Sequence, residues 1–180
     1  MTHKLELLIE NYICAYPHEK APYDMLSFYR TERDVFSKKN KNGHFTGSGW
    51  VVSPDKRKIL MTHHKTINKW LQLGGHADGE TDLLKVALRE ATEESGLHRF
   101  EILNKTVFDL DVHKIPKISS GLSHFHYDVR FLLEADPEKE PIIVSKESYD
   151  VAWVPIENVL KLNSEKSIHR MVDKTMALLM

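Results

Sequence analysis

Residues 74–97 read GGHADGETDLLKVALREATEESGL and join a glycine-rich segment to a helical pattern. The pair Gly74-Gly75 permits tight backbone geometry and the close approach of a ligand's phosphates. From Asp82 to Ser95 the residues are good helix formers, and Gly96 is placed to end the helix. The stretch therefore predicts a glycine-rich loop that leads directly into a helix.

Three glutamates of this helix share one side. Glu90, Glu93 and Glu94 occupy positions i, i+3 and i+4, which project within one helical turn of each other. Like charges about 6 Å apart repel by roughly 3 kcal/mol per pair at an effective dielectric near 20, and by much less on a fully solvated face. The three acids are therefore either a solvated acidic run or a site for a hard divalent cation, which takes oxygen ligands.

Strand and helix signals flank this stretch. The segments 49–52 and 59–61 are separated by Ser53-Pro54-Asp55-Lys56 and predict a hairpin. Further strands are expected at residues 69–73, 107–112, 124–133 and 151–154. Helices are expected at residues 5–13, at residues 24–36 with Asp24 as the cap, and at the end of the chain with Ser164 as the cap. Strands interleaved with long helices predict an α/β or α+β domain.

The segment 124–130, HFHYDVR, is rich in histidine and is expected to be a strand with alternating faces. One face carries His124, His126, Asp128 and Arg130. The other face is expected to point to the core and carries Phe125, Tyr127, Val129 and Phe131. The polar residues either cover a half-exposed sheet face or line a cleft, where they bind substrate phosphate or an additional metal.

The composition excludes several classes of protein. The chain has 180 residues, of which 41% are hydrophobic, and this is enough for one domain with a sizeable core. The formal net charge of −1 gives no footprint for strong nucleic-acid binding, and no membrane span or signal peptide is visible. A single cysteine excludes an internal disulfide framework. We therefore expect a cytoplasmic protein with no membrane partner and no strong nucleic-acid partner.

The stretch 74–97 resembles the Nudix box, in which Gly, five residues, Glu and seven residues precede Arg-Glu-apolar-any-Glu-Glu-any-Gly-apolar. The residues in register are Gly75, Arg89, Glu90, Glu93, Glu94, Gly96 and Leu97. One position departs, because Thr81 stands where the family has its first Glu and Glu80 lies one residue early. A one-residue deletion in the loop, compensated by an extra residue at the start of the helix, explains the shift. If the shift is absorbed locally, Glu80 can still reach Arg89.

The resemblance implies a Nudix-type α/β/α sandwich with a mixed sheet over residues 45–180, after a helical N-terminal extension over residues 1–44. It implies metal-dependent hydrolysis of the diphosphate linkage in a nucleoside diphosphate joined to another moiety, with Mg²⁺ or Mn²⁺ as cofactor. The implied metal ligands are Glu90, Glu93, Glu94 and the backbone of Gly75. The implied catalytic residues are Glu93 and Glu94, with Arg89 and Glu80 orienting the metal ligands.

Several roles stay open at this point. The general base is either Glu93 or Glu147, which lies before the last predicted strand. The helical extension could serve as a lid or as a homodimer surface. Histidines and acids near the box are candidates for substrate binding, namely His76, His113, His124, His126, Asp128 and Glu147.

Two rival functions follow from the same resemblance. Isopentenyl diphosphate isomerase carries Cys-Gly-His where this chain has Gly74-Gly75-His76, so the cysteine that does its proton chemistry is missing here. A non-catalytic Nudix domain that senses a nucleotide or nucleotide sugar, or that acts as a scaffold, is the other alternative. Such domains typically lose box glutamates, whereas this chain keeps Glu90, Glu93 and Glu94.

Overall fold

A computed structural model describes residues 3–116 and 123–179 and contains a mixed eight-stranded sheet with five helices. The helices are α1 (His3–Ala15), α2 (Ala21–Thr31), α3 (Leu83–Ser95), α4 (Ile156–Leu162) and α5 (Lys166–Ala177). The strands are β1 (Gly43–Val52), β2 (Lys58–His64), β3 (Lys69–Leu71), β4 (Leu73–His76), β5 (Glu101–Ile102), β6 (Asp109–Ile115), β7 (His124–Glu134) and β8 (Ser148–Pro155). Among the described residues, none of these helices has the length and apolar character that crossing a membrane requires.

The long strands β1 and β7 form the centre of the sheet and run parallel over ten residue pairs, from Gly43↔Phe125 to Val52↔Glu134. Strand β1 pairs with β4 through residues 46–49 and with β2 through Val51 and Val52, both antiparallel. Strand β6 pairs with the first half of β7, and β8 pairs with β2. This topology sets β4, β1, β7 and β6 side by side along the half of the sheet where β1 begins.

Helices cover both faces of the sheet. Phe45 of β1 belongs to an apolar cluster with residues of α1, α2 and α3. Trp50 points the opposite way from Phe45 along the strand and packs against α4 and α5, where its Nε1 donates to Oγ1 of Thr175 at 2.8 Å. The arrangement confirms the predicted α/β/α sandwich with a mixed sheet.

Helix α3 lies very close to β1 because Gly47 has no side chain. A Cβ atom at Gly47 would lie 2.5 Å from the carbonyl oxygen of Leu83 and 2.9 Å from Cβ of Val86. Leu83 and Val86 are both buried, and this face of α3 is fixed against the sheet. The side of α3 that carries the glutamates is therefore held beside β4.

The N-terminal helices share a core with the sheet. Ile9 of α1 and Met25 of α2 are fully buried, and the ring of Phe28 stacks on Tyr127 of β7 at a centroid distance of 3.9 Å. The boundary at residue 44 stays a prediction, as do the roles of the extension as a lid or a homodimer surface. In this fold the extension contributes side chains to the same apolar cluster as α3.

Several local expectations were wrong. Helix α2 begins at Ala21, so Asp24 lies in its first turn and does not cap it; Pro22 fits this start because the first turn leaves its N–H groups unpaired in any case. The last helix begins at Lys166 with Glu165 at the cap position, where Ser164 was expected, and α4 before it was not predicted. Phe125, expected to face the core, is 40% exposed because it lies next to the start of β7.

Candidate active site

A cleft of about 670 Å³ brings together β4, the glutamate side of α3 and the polar face of β7. Ten of the predicted site residues line it, namely Gly75, His76, Glu90, Glu93, Glu94, His113, His124, His126, Asp128 and Glu147. Arg89 and Glu80 are predicted site residues that do not line the cleft. His124, His126 and Asp128 of β7 therefore line the same cavity as the box glutamates, whereas Arg130 of the same face does not. Binding of substrate phosphate or of an additional metal by this face stays a prediction.

The glycine-rich strand and the glutamates of α3 fit together at atomic contact. The backbone N–H of Gly74 donates to Oε2 of Glu94 at 2.8 Å. A Cβ atom at Gly75 would lie 2.4 Å from the carboxyl carbon of Glu90, and a Cβ atom at Gly74 would lie 2.1 Å from Oγ of Ser48. Because any side chain at either glycine would collide with these groups, the double glycine is what allows β4 to lie against the carboxylates.

The three glutamates differ in burial. Glu94 is 6% exposed, the Glu90 side chain is 17% exposed and the Glu93 side chain is 62% exposed. Burial, together with the nearby carboxylates of Glu90 and Glu147, raises the pKa of Glu94 to about 8 against the opposing effect of the Gly74 N–H. Burial also raises the pKa of Glu90, although the Arg89 guanidinium opposes this shift. A cation held by these oxygens would favour their ionised forms, so the residues present fit a hard divalent metal.

Arg89 joins the helix to the loop. Its Nη2 donates to the carbonyl oxygen of His76 at 2.7 Å and to Oε1 of Glu90 at 2.6 Å. Its Nε lies 3.8 Å from Oε1 of Glu93, one turn along α3. The guanidinium thus restrains two of the three glutamates and the end of β4 at once.

Glu80 has a different partner from the one expected. Its Oε1 accepts a hydrogen bond of 2.8 Å from the backbone N–H of Asp82, at the start of α3. Within residues 3–116 and 123–179, no hydrogen bond or ion pair joins Glu80 to Arg89. The loop turns sharply at Asp78 (φ 49°) and Gly79 (φ 93°), and the Glu80 N–H donates to the carbonyl oxygen of Ala77. This tight turn places the Glu80 carboxylate at the first turn of the helix.

Asp128 organises the floor of the cleft. Its Oδ1 accepts hydrogen bonds from Thr46 and Ser48 of β1, at 2.8 and 2.7 Å. Its Oδ2 accepts from Gln72 at 3.1 Å and from Nε of the buried Arg130 at 2.7 Å. With four protein donors on one buried carboxylate, Asp128 fixes the relative positions of β1, β7 and the β3–β4 connection.

Histidines from four adjacent strands meet beside this floor. His44 of β1 is the register partner of His126 on β7, which is in turn the partner of His113 on β6. The ring centroids of His44 and His76 are 5.0 Å apart, and those of His44 and His126 are 4.7 Å apart. Burial lowers the pKa of His44 to about 4, because the charged form would lose its hydration.

His44 was not among the predicted site residues. The sequence did contain a signal for it. His44, Thr46 and Ser48 are spaced two residues apart, so these three polar side chains share one face of the buried strand β1. That signal became meaningful only through the parallel pairing of β1 with β7.

Comparison with known proteins identifies the family. A family model described as the NUDIX domain matches residues 43–175. The human m7GpppN-mRNA hydrolase NUDT17 is 33% identical over 98 residues, which cover 50% of this chain and 29% of that protein. The chain therefore spans less than a third of the length of this curated relative.

Solved structures share the fold at low sequence identity. The C. elegans Ap4A hydrolase superposes with a TM-score of 0.54 at 15% identity, over 75% of this chain and 96% of that one. The E. coli dihydroneopterin triphosphate pyrophosphohydrolase gives 0.57 at 14% identity, over 72% of this chain and 92% of that one. Since the family model matches most of the chain and Gly75, Glu90, Glu93 and Glu94 of the box line one cleft, this chain belongs to the NUDIX domain family.

Proposed function

We propose that this chain is a metal-dependent hydrolase that cleaves the diphosphate linkage of a nucleoside diphosphate joined to another moiety. The observation that carries the proposal is that Glu90, Glu93 and Glu94 all line one cleft, large enough for a small molecule, in which Glu94 bonds the Gly74 N–H and Glu90 lies against Gly75. A non-catalytic sensor has no need to keep three carboxylates on one side of a helix, because like charges there repel one another unless a cation offsets them.

The box residues would have two roles, to hold the metal and to orient the residues that hold it. Glu90, Glu93 and Glu94 would hold the metal, with the backbone of Gly75 beside them, and Arg89 would restrain Glu90 and Glu93 through its contacts. When bound, Mg²⁺ or Mn²⁺ supplies charge neutralisation at phosphate oxygens and a water of lowered pKa. This division of roles is supported by the burial of Glu94 and by the fit of Gly75 against Glu90.

The proton of the attacking water needs an acceptor at the cleft. Glu93 and Glu147 both line the cleft and are both exposed, so each can receive a proton and return it to solvent. Glu93 is the acceptor that we propose, because it belongs to the carboxylate cluster and lies one turn from Glu90 on the same helix. Glu147 lies outside this helix, in the connection between β7 and β8.

Purified protein, a panel of nucleoside diphosphate compounds and chromatographic detection of the nucleotide products test the proposal. Two similar proteins are named for capped mRNA and for Ap4A, so the panel includes a capped dinucleotide and a dinucleoside tetraphosphate beside nucleotide sugars and ADP-ribose. We expect one compound class to be turned over with Mg²⁺ or Mn²⁺, and Glu93→Gln to lower kcat more than Glu147→Gln. A folded protein that binds metal and turns over none of the compounds would favour the nucleotide-sensing alternative.

A further inference from the structure

A second group of potential metal ligands lies away from the glutamates. One ring nitrogen each of His44, His124 and His126 can be chosen so that all three nitrogens lie within 4.8 Å of one another. The sheet register creates this group, because His44 is paired with His126 across parallel strands and His124 lies two residues from His126 on the same face of β7. The three residues are thus held by the central pair of strands and not by a loop.

His44 is the observation that points to a ligand. The side chain is 2% exposed, and neither Nδ1 nor Nε2 has a hydrogen-bond partner although both atoms are buried. A buried polar group without a partner costs about 1–3 kcal/mol, and such groups are rare in folded proteins. The ring points to its histidine neighbours, with centroids 5.0 Å from His124 and 4.7 Å from His126.

The spacing of the other two rings matches coordination geometry. Nε2 of His124 and Nε2 of His126 are 3.2 Å apart. Two nitrogen ligands at about 2.0–2.1 Å from a tetrahedral zinc ion are separated by about 3.3–3.4 Å. A ring nitrogen of His44 lies within 4.8 Å of a ring nitrogen of each of these two residues.

We propose that His44, His124 and His126 bind a transition-metal dication, with Zn²⁺ as the best fit, at a site separate from the carboxylates of α3. Imidazole nitrogen selects zinc and the later first-row metals, whereas the carboxylates of α3 select Mg²⁺ or Mn²⁺. The cleft region therefore contains two sets of metal ligands, imidazole nitrogens and carboxylate oxygens, that prefer different metal ions. His124 and His126 line the cleft, so a metal ion held by the three rings would be within reach of water or of a phosphate oxygen in the cleft.

Phosphate binding by the same three rings is the competing interpretation, and it fits less well. Strong binding of an anion would need protonated imidazoles, and three imidazolium groups with ring centroids about 5 Å apart in a buried setting repel strongly and lose their hydration. Neutral imidazoles bind a metal ion without that penalty. The His113 Nδ1 lies 3.1 Å from Oδ2 of Asp111, which orients a further ring beside His126 and leaves the three-nitrogen group intact.

Zinc binding to the full chain tests the proposal. Protein stripped of metal with a chelator is dialysed against Zn²⁺ at increasing concentration, with excess Mg²⁺ present to occupy the carboxylates. We expect one equivalent of Zn²⁺ to bind per chain, and at least 100-fold weaker binding by His124→Asn and by His126→Asn. Glu93→Gln should bind Zn²⁺ as the wild type does, and so should His98→Asn, which removes an exposed histidine outside the cleft.

Two further measurements test the site without a substitution of the buried His44. The melting temperature of the wild type should rise on addition of Zn²⁺, and that of the half-buried His124→Asn variant should not. Co²⁺ in place of Zn²⁺ should give the visible absorption of a tetrahedral nitrogen site. The proposal would be overturned if the wild type bound no stoichiometric Zn²⁺. It would also be overturned if Glu93→Gln lost Zn²⁺ binding while the histidine variants kept it. Neither result depends on whether the chain hydrolyses a diphosphate.

Discussion

The backbone N–H of Gly74 donates a hydrogen bond of 2.8 Å to Oε2 of Glu94, and this bond ties the glycine-rich strand β4 to the last turn of helix α3. Glu94 is 6% exposed, so its carboxylate gains this partner in place of most of its hydration. The contact holds the glycine-rich strand beside the glutamate side of the helix.

Gly75→Ala is expected to lower activity by at least about 10-fold while the protein stays folded, because a Cβ atom 2.4 Å from the Glu90 carboxyl carbon would push that carboxylate out of place. The measurement is kcat/KM at saturating Mg²⁺, with circular dichroism as the check on folding. Gly79→Asn is the comparison, since a Cβ atom there meets nothing within 4 Å and any loss it causes reports backbone strain at its positive φ, without a collision. Equal activity of Gly75→Ala and wild type would contradict the placement of Glu90.

Arg89→Lys is expected to lower kcat/KM by about 10- to 100-fold, which is typical for residues that orient metal ligands. A lysine keeps the charge but cannot bond the His76 carbonyl and Glu90 together as the guanidinium does. Activity measured against Mg²⁺ concentration separates this role from a general loss of stability, since the variant should need more Mg²⁺ and recover in part. The exposed Lys85→Gln on the same helix should leave the Mg²⁺ dependence unchanged.

Glu80→Ala is expected to act on stability and to change activity by no more than a few-fold. Its carboxylate bonds the Asp82 N–H at the start of α3, so its loss should cost about 1 kcal/mol and lower the melting temperature by about 2–4 °C. Thermal unfolding and the diphosphate assay are measured on the same preparation. A loss of activity as large as that of Arg89→Lys would mean that Glu80 acts on Arg89 after all.

Phe28→Ala is expected to destabilise the whole domain by about 3–5 kcal/mol, because the ring is buried and stacks on Tyr127 of the central strand β7. The free energy of unfolding is measured in urea. Leu7→Ala, in the 55% exposed position of helix α1, should change it by less than about 0.5 kcal/mol. A small effect of Phe28→Ala would show that the N-terminal helices are not part of the common core.

The sequence predicts best the features that depend on neighbouring residues. The shared side of Glu90, Glu93 and Glu94 follows from helical periodicity alone, and Gly96 ends the helix in a left-handed conformation as expected. The α/β class and the hairpin of β1 and β2 follow from equally local patterns. These features need no knowledge of which strands pair.

The features that the sequence does not predict depend on long-range pairing. His44 meets His126 because β1 and β7 run parallel, and a shift of one residue in that register would move His44 to the other face. The partner of Glu80 depends on backbone angles at Asp78 and Gly79 that residue type alone does not determine. Helix α4 has only seven residues, too few for its periodicity to be distinctive.

The most direct test of the central claim is turnover of the active compound class by wild type and by Glu94→Gln, each with Mg²⁺ and with a chelator. We expect the chelator to abolish turnover by the wild type and added Mg²⁺ to restore it. We also expect Glu94→Gln, which keeps the size of the side chain but loses its charge, to be at least about 100-fold slower, equivalent to about 2.7 kcal/mol of transition-state stabilisation. Turnover that survives the chelator, or a Glu94→Gln variant as fast as the wild type, would contradict hydrolysis at this carboxylate site.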